Sequence, residues 1–153
     1  MGTGRHARKA GLTLIELMLV IGVIGILAAL ALPNLLRSRL QANEGVAIEN
    51  LRVIASAQVA HNAAKNTYGT FAQLISEDDG PGTGYLDNTW SEGVEKIGYR
   101  YTIAEAGAAD YVCFAAPVSP GVTGERYFRI DGSGIVRFSR GGPPAADAPP
   151  VAR

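Results

Sequence analysis

The clearest pattern in the chain is a continuous apolar run close to its beginning. Within residues 12–32 only Thr13 and Glu16 are strongly polar, and Pro33 follows directly. A helix of this length and composition is long enough to cross about 30 Å of hydrocarbon. The pattern therefore predicts a transmembrane helix over residues 12–33.

After this run the pattern changes from uniformly apolar to amphipathic. Less polar positions recur at steps of three and four residues, and the charged residues Arg39, Glu44, Glu49 and Arg52 lie between them. This period is typical of a helix with one buried face. We therefore expect an amphipathic helix over residues 34–66, with one face against a globular domain. The recurring positions are Leu36, Leu40, Ala47, Leu51, Ile54, Ala55 and Gln58.

The period changes from helical to alternating in the second half of the chain. Strands are predicted over residues 98–105, 111–118, 125–130 and 135–139. The Asp-Gly turn at Asp131 predicts that the last two form a hairpin. The predicted fold is α+β: a long N-terminal helix whose second half carries a four-stranded antiparallel meander, within a globular domain over residues 67–140.

The segments between and after these elements are rich in Gly, Pro and Asp. Residues 70–75 predict a short helix, and residues 76–89 predict a loop. The Pro- and Ala-rich residues 141–153 predict an extended, mobile tail with little to bury. For Trp90 and Tyr85, a place at the edge of the core is favoured over a surface adhesive patch.

The N-terminal pattern closely resembles that of type IV pilins and type II secretion pseudopilins. A basic leader over residues 1–11 ends in Gly11, and Leu-Thr-Leu-Ile-Glu-Leu-Met begins the apolar run. Glu16 is then the fifth residue after the leader. The resemblance covers about residues 5–40, and Leu12 stands where the family usually has Phe.

This resemblance implies a set of roles for the N-terminal residues. A prepilin peptidase would cleave between Gly11 and Leu12 and methylate the new amino group of Leu12. Glu16 would pair with that amino group on a neighbouring copy and so direct assembly. Gly25 and Pro33 would bracket a section of helix that can loosen.

Two physical arguments support parts of this reading. Gly22 and Gly25 are small residues that permit close helix approach in lipid. The basic residues Arg5, Arg8 and Lys9 before the apolar run predict that the N-terminus stays cytoplasmic.

The rivals are a secretory signal peptide cleaved after residues 29–31 and a plain membrane anchor. A carboxylate at the edge of the bilayer core costs roughly 2.5 kcal/mol or more, and neither rival explains why Glu16 is retained.

Composition excludes several other function classes. The leader holds three of the 14 Lys and Arg residues and none of the 14 Asp and Glu residues, so the mature chain has a net charge of about −3. Nucleic-acid binding is therefore not indicated. The single cysteine, Cys113, excludes an intramolecular disulfide and is predicted to be a buried strand residue.

No catalytic, cofactor or metal motif is present in the sequence. His61 has no second histidine near it after the leader. The acidic residues 77–79 and the pair Asp131 and Ser133 favour a solvated loop and a hairpin turn over cation sites. The chain is thus expected to be no enzyme, with no cofactor.

The sequence predicts a structural subunit of type IV pilin kind. It would be held in the inner membrane with its N-terminus in the cytoplasm, and would polymerise with copies of itself into a surface pilus. An inner-membrane assembly platform and minor pilins would be further partners. The alternative is a pseudopilin of a periplasmic type II secretion filament. From another class, the exported domain would be a tethered binding module or small hydrolase.

Overall fold

The computed structural model describes residues 11–76 and 84–152. They divide into an N-terminal unit that ends at Arg37 and a C-terminal unit over Ser38–Arg153. A single helix, α1 (Leu14–Lys65), contributes to both units and includes Pro33. Most of the predicted leader and the acidic residues 77–79 lie outside the described residues.

The C-terminal unit contains a second, short helix and one antiparallel sheet in which each strand pairs with the next along the chain. The α+β class and the meander are confirmed, but the sheet has five strands and not the predicted four. The additional strand, β1, makes only two residue pairs with β2, which is too short to leave an alternating pattern. The elements are α2 (Phe71–Ile75), β1 (Glu95–Lys96), β2 (Tyr99–Ala106), β3 (Tyr111–Pro117), β4 (Arg126–Asp131) and β5 (Arg137–Arg140).

The core lies between the C-terminal part of α1 and one face of the sheet. Leu51 and Ile54 of α1 are fully buried in the same cluster as Tyr101 and Phe128 of the sheet. The amide of Asn50 on α1 also donates a 2.9 Å hydrogen bond to the hydroxyl of Tyr101. The predicted amphipathic face is therefore the face that meets the sheet.

Two residues of α1 depart from the simple picture of an apolar face and a charged face. Glu44, predicted to lie among the charged positions, is only 6% exposed. Its carboxylate accepts from the backbone N–H groups of Glu125 and Arg126 at 2.9 and 3.1 Å and from the Nε of Arg126 at 2.7 Å. Leu36, predicted among the buried positions, is 60% exposed and belongs to the N-terminal unit.

A polar contact holds the segment after α1 against the helix. Gln58 is fully buried, and its side-chain amide exchanges two hydrogen bonds, of 2.6 and 2.8 Å, with the backbone of Gly69. Thr70 then caps α2 in a capping box with Gln73. These contacts fix the turn between the two helices without a long loop.

Trp90 belongs to the core, as the sequence favoured. Its ring stacks on Phe71 at a centroid distance of 5.9 Å and meets the ring of Tyr101 edge-on at 5.4 Å. The side chain is 5% exposed, and the ammonium of Lys96 lies 3.9 Å above its ring. Trp90 is therefore not part of an exposed adhesive patch.

The C-terminal residues differ from the predicted extended tail. Pro150 pairs with Arg137 on the outer edge of β5. The backbone N–H of Phe138 donates to the carbonyl of Pro149 at 3.1 Å, and the N–H of Val151 donates to the carbonyl of Val136 at 2.8 Å. Val151 packs against the core cluster. The tail thus covers the edge of the sheet. Its prolines suit this position because each has a carbonyl that can accept a hydrogen bond and no N–H group that needs an acceptor.

Candidate assembly segment

None of the residues that the structure describes covers the apolar segment of α1. Every residue from 12 to 36 is exposed, and the exposed side chains include large aliphatic ones on all sides of the helix. Among the described residues, α1 is the one helix long and apolar enough to cross a membrane. A helix that is hydrophobic all round is stable in lipid or when buried against other protein surfaces.

The helix begins with a capping box that the sequence analysis did not identify. The hydroxyl of Thr13 accepts from the backbone N–H of Glu16 at 3.3 Å, and the carboxylate of Glu16 accepts from the N–H of Thr13 at 2.8 Å. The pattern Thr-x-x-Glu before an apolar run is the signal of this motif. Glu16 therefore has a local role at the helix start, besides any role between copies.

The capping box leaves part of the Glu16 carboxylate unused. Both hydrogen bonds from Thr13, from its N–H and from its hydroxyl, go to Oε2. Within the described part of the chain, no group donates to Oε1. The carboxylate lies in the first turn of α1, where the partial positive charge of the helix end stabilises an anion. It is thus a hydrogen-bond acceptor at the head of an apolar helix, with one oxygen to which none of the described groups donates.

Gly11 and Leu12 precede the helix in non-helical backbone. Leu12 is 77% exposed. The peptide bond between these two residues is therefore outside the hydrogen-bonded helix, and exposed segments of this kind are preferred sites of proteolysis.

Packing among the described residues does not require the two glycines of the apolar segment, Gly22 and Gly25. A Cβ atom added at Gly22 or Gly25 would meet nothing within 4 Å. Each glycine costs the helix about 1 kcal/mol relative to alanine. Their small size becomes useful only where another helix approaches this surface.

Pro33 has no backbone N–H, so α1 lacks the hydrogen bond that this residue would otherwise donate to the carbonyl one turn earlier. The helix nevertheless continues through it to Lys65. The amide of Asn34 donates a 3.4 Å hydrogen bond to the carbonyl of Leu30, close to the missing backbone bond. Pro33 therefore marks a locally weakened section of α1 and not its end.

The remaining candidate groups have structural partners. The Nδ1 of His61 lies 2.7 Å from the carbonyl of Thr67, so this nitrogen carries the proton in the neutral ring. Cys113 is a buried free thiol on β3, and burial raises its pKa, which keeps it protonated and unreactive. In residues 11–76 and 84–152, no group of three His, Cys, Asp or Glu side chains is placed to hold a metal ion.

Asp131 forms the predicted hairpin turn and not half of a cation loop. Its Oδ1 accepts from the N–H and the hydroxyl of Ser133 at 3.1 and 2.5 Å, and its Oδ2 lies 3.3 Å from a guanidinium nitrogen of Arg129. Burial alone would raise the pKa of this carboxyl, but the bonds from Ser133 and the charges of Arg129 and Arg137 hold it below its usual value.

Comparison with known proteins identifies relatives of the N-terminal segment. Residues 6–32 match the family model described as the prokaryotic N-terminal methylation motif. The chain is 40% identical over 70 residues to the type IV major pilin protein PilA of Myxococcus xanthus, an alignment that covers 46% of this chain and 32% of that protein. It is 43% identical over 67 residues to the type IV wide pilus major component PilA4 of Thermus thermophilus, covering 43% and 51%.

A third relative belongs to a secretion system. The chain is 35% identical over 66 residues to the type II secretion system core protein G of Aeromonas hydrophila, covering 43% of this chain and 46% of that protein. The chain therefore spans between about one third and one half of the lengths of these three relatives. The relatives of this chain therefore include both pilus proteins and a protein of a secretion system.

Proposed function

We propose that this chain is a member of the type IV pilin and type II secretion pseudopilin family, which its N-terminal segment resembles, and that it is a structural subunit that polymerises into a pilus through that segment. One observation carries the proposal: an apolar helix exposed on every side begins with a carboxylate, Glu16, only one of whose oxygens accepts hydrogen bonds from the described residues. This combination favours a surface that is covered first by lipid and then by other copies. The protein works by assembly and is not an enzyme.

Before assembly, the chain is held in the inner membrane by residues 12–33. The N-terminus lies in the cytoplasm and the C-terminal unit lies outside. A prepilin peptidase removes the leader by cleaving between Gly11 and Leu12, and Leu12 is then N-methylated. The exposed, non-helical backbone at these two residues supports this step.

During assembly, the Oε1 of Glu16 accepts from the ammonium group of Leu12 on a neighbouring copy. Thr13 continues to bond Oε2, so the capping box and the intermolecular pair use different oxygens of one carboxylate. The pair would set the axial position of each incoming subunit. An inner-membrane assembly platform and minor pilins are the partners that bring subunits to the growing end.

Gly22 and Gly25 let neighbouring helices approach closely. A larger residue at either position would place its Cβ atom on the open surface that a neighbouring helix would contact. Pro33 supplies a section of α1 with one backbone hydrogen bond fewer. This section would loosen as subunits leave the bilayer and pack in the filament.

The second candidate is a pseudopilin of a periplasmic type II secretion filament. The identity to core protein G of Aeromonas hydrophila favours it directly. The two functions share the same processing and assembly chemistry, and they differ in where the filament ends. Sheared fibres from the cell surface that contain this chain support the pilus, whereas loss of exported enzymes on deletion, without surface fibres, supports the pseudopilus.

The processing step is tested by the intact mass of the membrane-resident protein. We expect a mature chain that begins at Leu12, with the added mass of one methyl group. The bulky substitution Gly11→Val should leave the full precursor in the membrane, because it changes the residue before the cut. A mature chain that begins near Leu32 would instead establish a signal peptide and contradict the proposal.

A further inference from the structure

One end of the C-terminal unit carries exposed apolar side chains on two adjacent loops. Ile97, in the turn between β1 and β2, is 59% exposed, and Val122, in the connection between β3 and β4, is 74% exposed. Val118, in the same connection, is 37% exposed. We call these three residues the apolar tip.

The two loops of the apolar tip are joined to each other and to α1. The N–H of Val118 donates a 2.9 Å hydrogen bond to the carbonyl of Gly98. The amide of Asn43 on α1 donates to the carbonyl of Thr123 at 2.9 Å. A Cβ added at Gly98 would lie 2.7 Å from the Cβ of Thr123, so the turn and the connection touch. The tip is thus one surface held beside Asn43.

The turn that carries Ile97 is occupied by the wrong type of residue for its geometry. Lys96 and Tyr99 pair across a two-residue loop, and both loop residues have positive φ angles, 49° at Ile97 and 77° at Gly98. This is the φ signature of a type I′ turn, in which Asn, Asp or Gly is preferred at the first position. A β-branched residue with positive φ is a conformational outlier.

Ile97 therefore has an unfavourable φ angle and also leaves more than half of its apolar side chain exposed. Asparagine would suit both the turn and the solvent better. Such a residue is explained when an apolar environment outside the chain covers its side chain.

The position of the tip along the chain identifies that environment. Asn43 is among the first residues of α1 that are not fully exposed, a few positions after the apolar segment that ends near Leu36. Arg37 and Arg39, both exposed, lie between them, and long basic side chains near the end of a membrane helix extend to the headgroup layer. The tip is therefore at the end of the unit where the chain arrives from the proposed membrane span.

We propose that the apolar tip inserts into the outer surface of the bilayer that α1 crosses, and so docks the C-terminal unit on lipid before assembly. The inference rests on the proposed membrane anchoring. Its partner is the boundary between headgroups and acyl chains, since the tip offers aliphatic side chains. The ammonium of Lys96 is already engaged by Trp90 and by the hydroxyl of Thr89 at 2.5 Å, so the contact should depend little on salt.

The test measures how deeply the tip enters lipid in the full chain. In a Cys113→Ala background, single cysteines at Ile97, Val122, Ile135 or Leu27 carry an environment-sensitive fluorophore. The protein is reconstituted into vesicles of zwitterionic phospholipid that contain brominated lipids. Ile135 is the matched control, because it is an exposed aliphatic residue, 43% exposed, in the connection at the opposite end of β4. Leu27 reports membrane insertion itself.

The proposal expects strong quenching at Ile97 and Val122, little at Ile135, and quenching at Leu27. The substitution Ile97→Asn, with the label at Val122, should reduce quenching there several-fold while leaving the thermal midpoint unchanged or higher. Quenching at the tip no greater than at Ile135, with Leu27 quenched, would overturn the tip alone. An unquenched Leu27 would overturn the anchoring as well.

Two further results would also contradict lipid docking. Unchanged quenching at Val122 after Ile97→Asn would show that Ile97 does not hold the tip in lipid. Cross-linking between copies through a cysteine at Ile97, without quenching, would assign the tip to a second copy of the chain.

Discussion

The carboxylate of Glu44 shows how one residue connects the helix to the sheet. It is buried, it accepts from two backbone N–H groups at the start of β4, and it pairs with Arg126. Two donors without partners and a mostly buried guanidinium would remain if the carboxylate were removed. Breaking a buried pair in this way destabilises a protein by about 3–5 kcal/mol.

We therefore expect Glu44→Ala to lower the free energy of unfolding by about 3–5 kcal/mol. Glu44→Gln keeps an acceptor oxygen and should cost less. The matched control is Glu49→Ala, since Glu49 forms an exposed pair with Arg52 at 3.4 Å and such pairs contribute less than about 1 kcal/mol. Denaturant unfolding of the full chain in detergent measures all three. Equal effects of Glu44→Ala and Glu49→Ala would show that the buried pair does not hold α1.

The buried tyrosines predict the alkaline limit of stability. Burial raises the pKa of Tyr101 to about 12, against a hydrogen bond from Asn50 that lowers it, and burial also raises the pKa values of Tyr99 and Tyr111. The unfolded pKa is about 10. Since the folded values are higher, their contribution is complete below pH 10 and is lost as the pH rises towards 12 and beyond.

We expect the C-terminal unit to unfold cooperatively above pH 10, with tyrosinate absorbance appearing in the same transition as the loss of circular dichroism. Tyr101→Phe removes one ionisable group, and it should move the transition to higher pH if loss of the Asn50 bond is tolerated. Complete formation of tyrosinate by all six tyrosines of the chain before any unfolding would contradict the burial of Tyr99, Tyr101 and Tyr111.

Some of these residue roles can be predicted from the sequence, and others cannot. Thr13 and Glu16 form a local pattern that predicts the capping box directly. Glu44 cannot be recognised in the same way, because its partners lie about 80 positions away in the chain. A charged residue on a helix is exposed unless a distant segment supplies donors, and the helix pattern alone does not contain that segment.

At the scale of elements, the strands follow from alternation. Tyr99 and Tyr101 are buried with exposed Arg100 between them, and this period of two was visible in the sequence. The two-residue strand β1 and the paired tail were not predictable by the same means. The tail pairs with β5 through backbone groups, which include the carbonyl of Pro149 and the bridge at Pro150. Its composition indicates disorder, but its backbone completes the edge of the sheet.

The tail predicts a measurable protection of β5. Truncation after Asp147 removes the carbonyl of Pro149 and the N–H of Val151, which bond Phe138 and Val136. We expect the amide of Phe138 to exchange with solvent markedly faster in the truncated chain, and the exposed edge to increase self-association. The amide of Phe128 on the adjacent strand is the internal control. Unchanged exchange at Phe138 would show that the tail does not cover β5 in solution.

At the scale of the whole molecule, the chain combines a folded C-terminal unit with an apolar helical segment that is exposed within residues 11–76 and 84–152. The sequence predicts a change of environment near Pro33, where uniform apolarity gives way to an amphipathic period, and the observed division follows Arg37. The likeness to pilins and to a secretion protein supports assembly as its use. The hydrophobic pattern did not reveal that Glu16 already has a partner in its own helix, Thr13, and this partner changes how the role of Glu16 must be tested.

Three substitutions separate the cap from the intermolecular pair. Thr13→Val removes the capping hydroxyl and keeps the charge of Glu16, at a cost of about 1 kcal/mol to the helix start. Glu16→Gln keeps the capping box, which accepts Glu or Gln, and removes the charge. Glu16→Leu removes both. All three should give cleaved protein that stays in the membrane.

The most direct test is the yield of sheared fibres relative to total membrane protein, from cells that express no other pilin. If the pair between Glu16 and the Leu12 ammonium drives assembly, Thr13→Val should assemble nearly as the wild type does. Glu16→Gln should assemble clearly less, and Glu16→Leu should give no fibres, because the unpaired buried ammonium costs about 3–5 kcal/mol. Wild-type fibre yield from Glu16→Leu, or an equal loss from Thr13→Val and Glu16→Leu, would contradict the account.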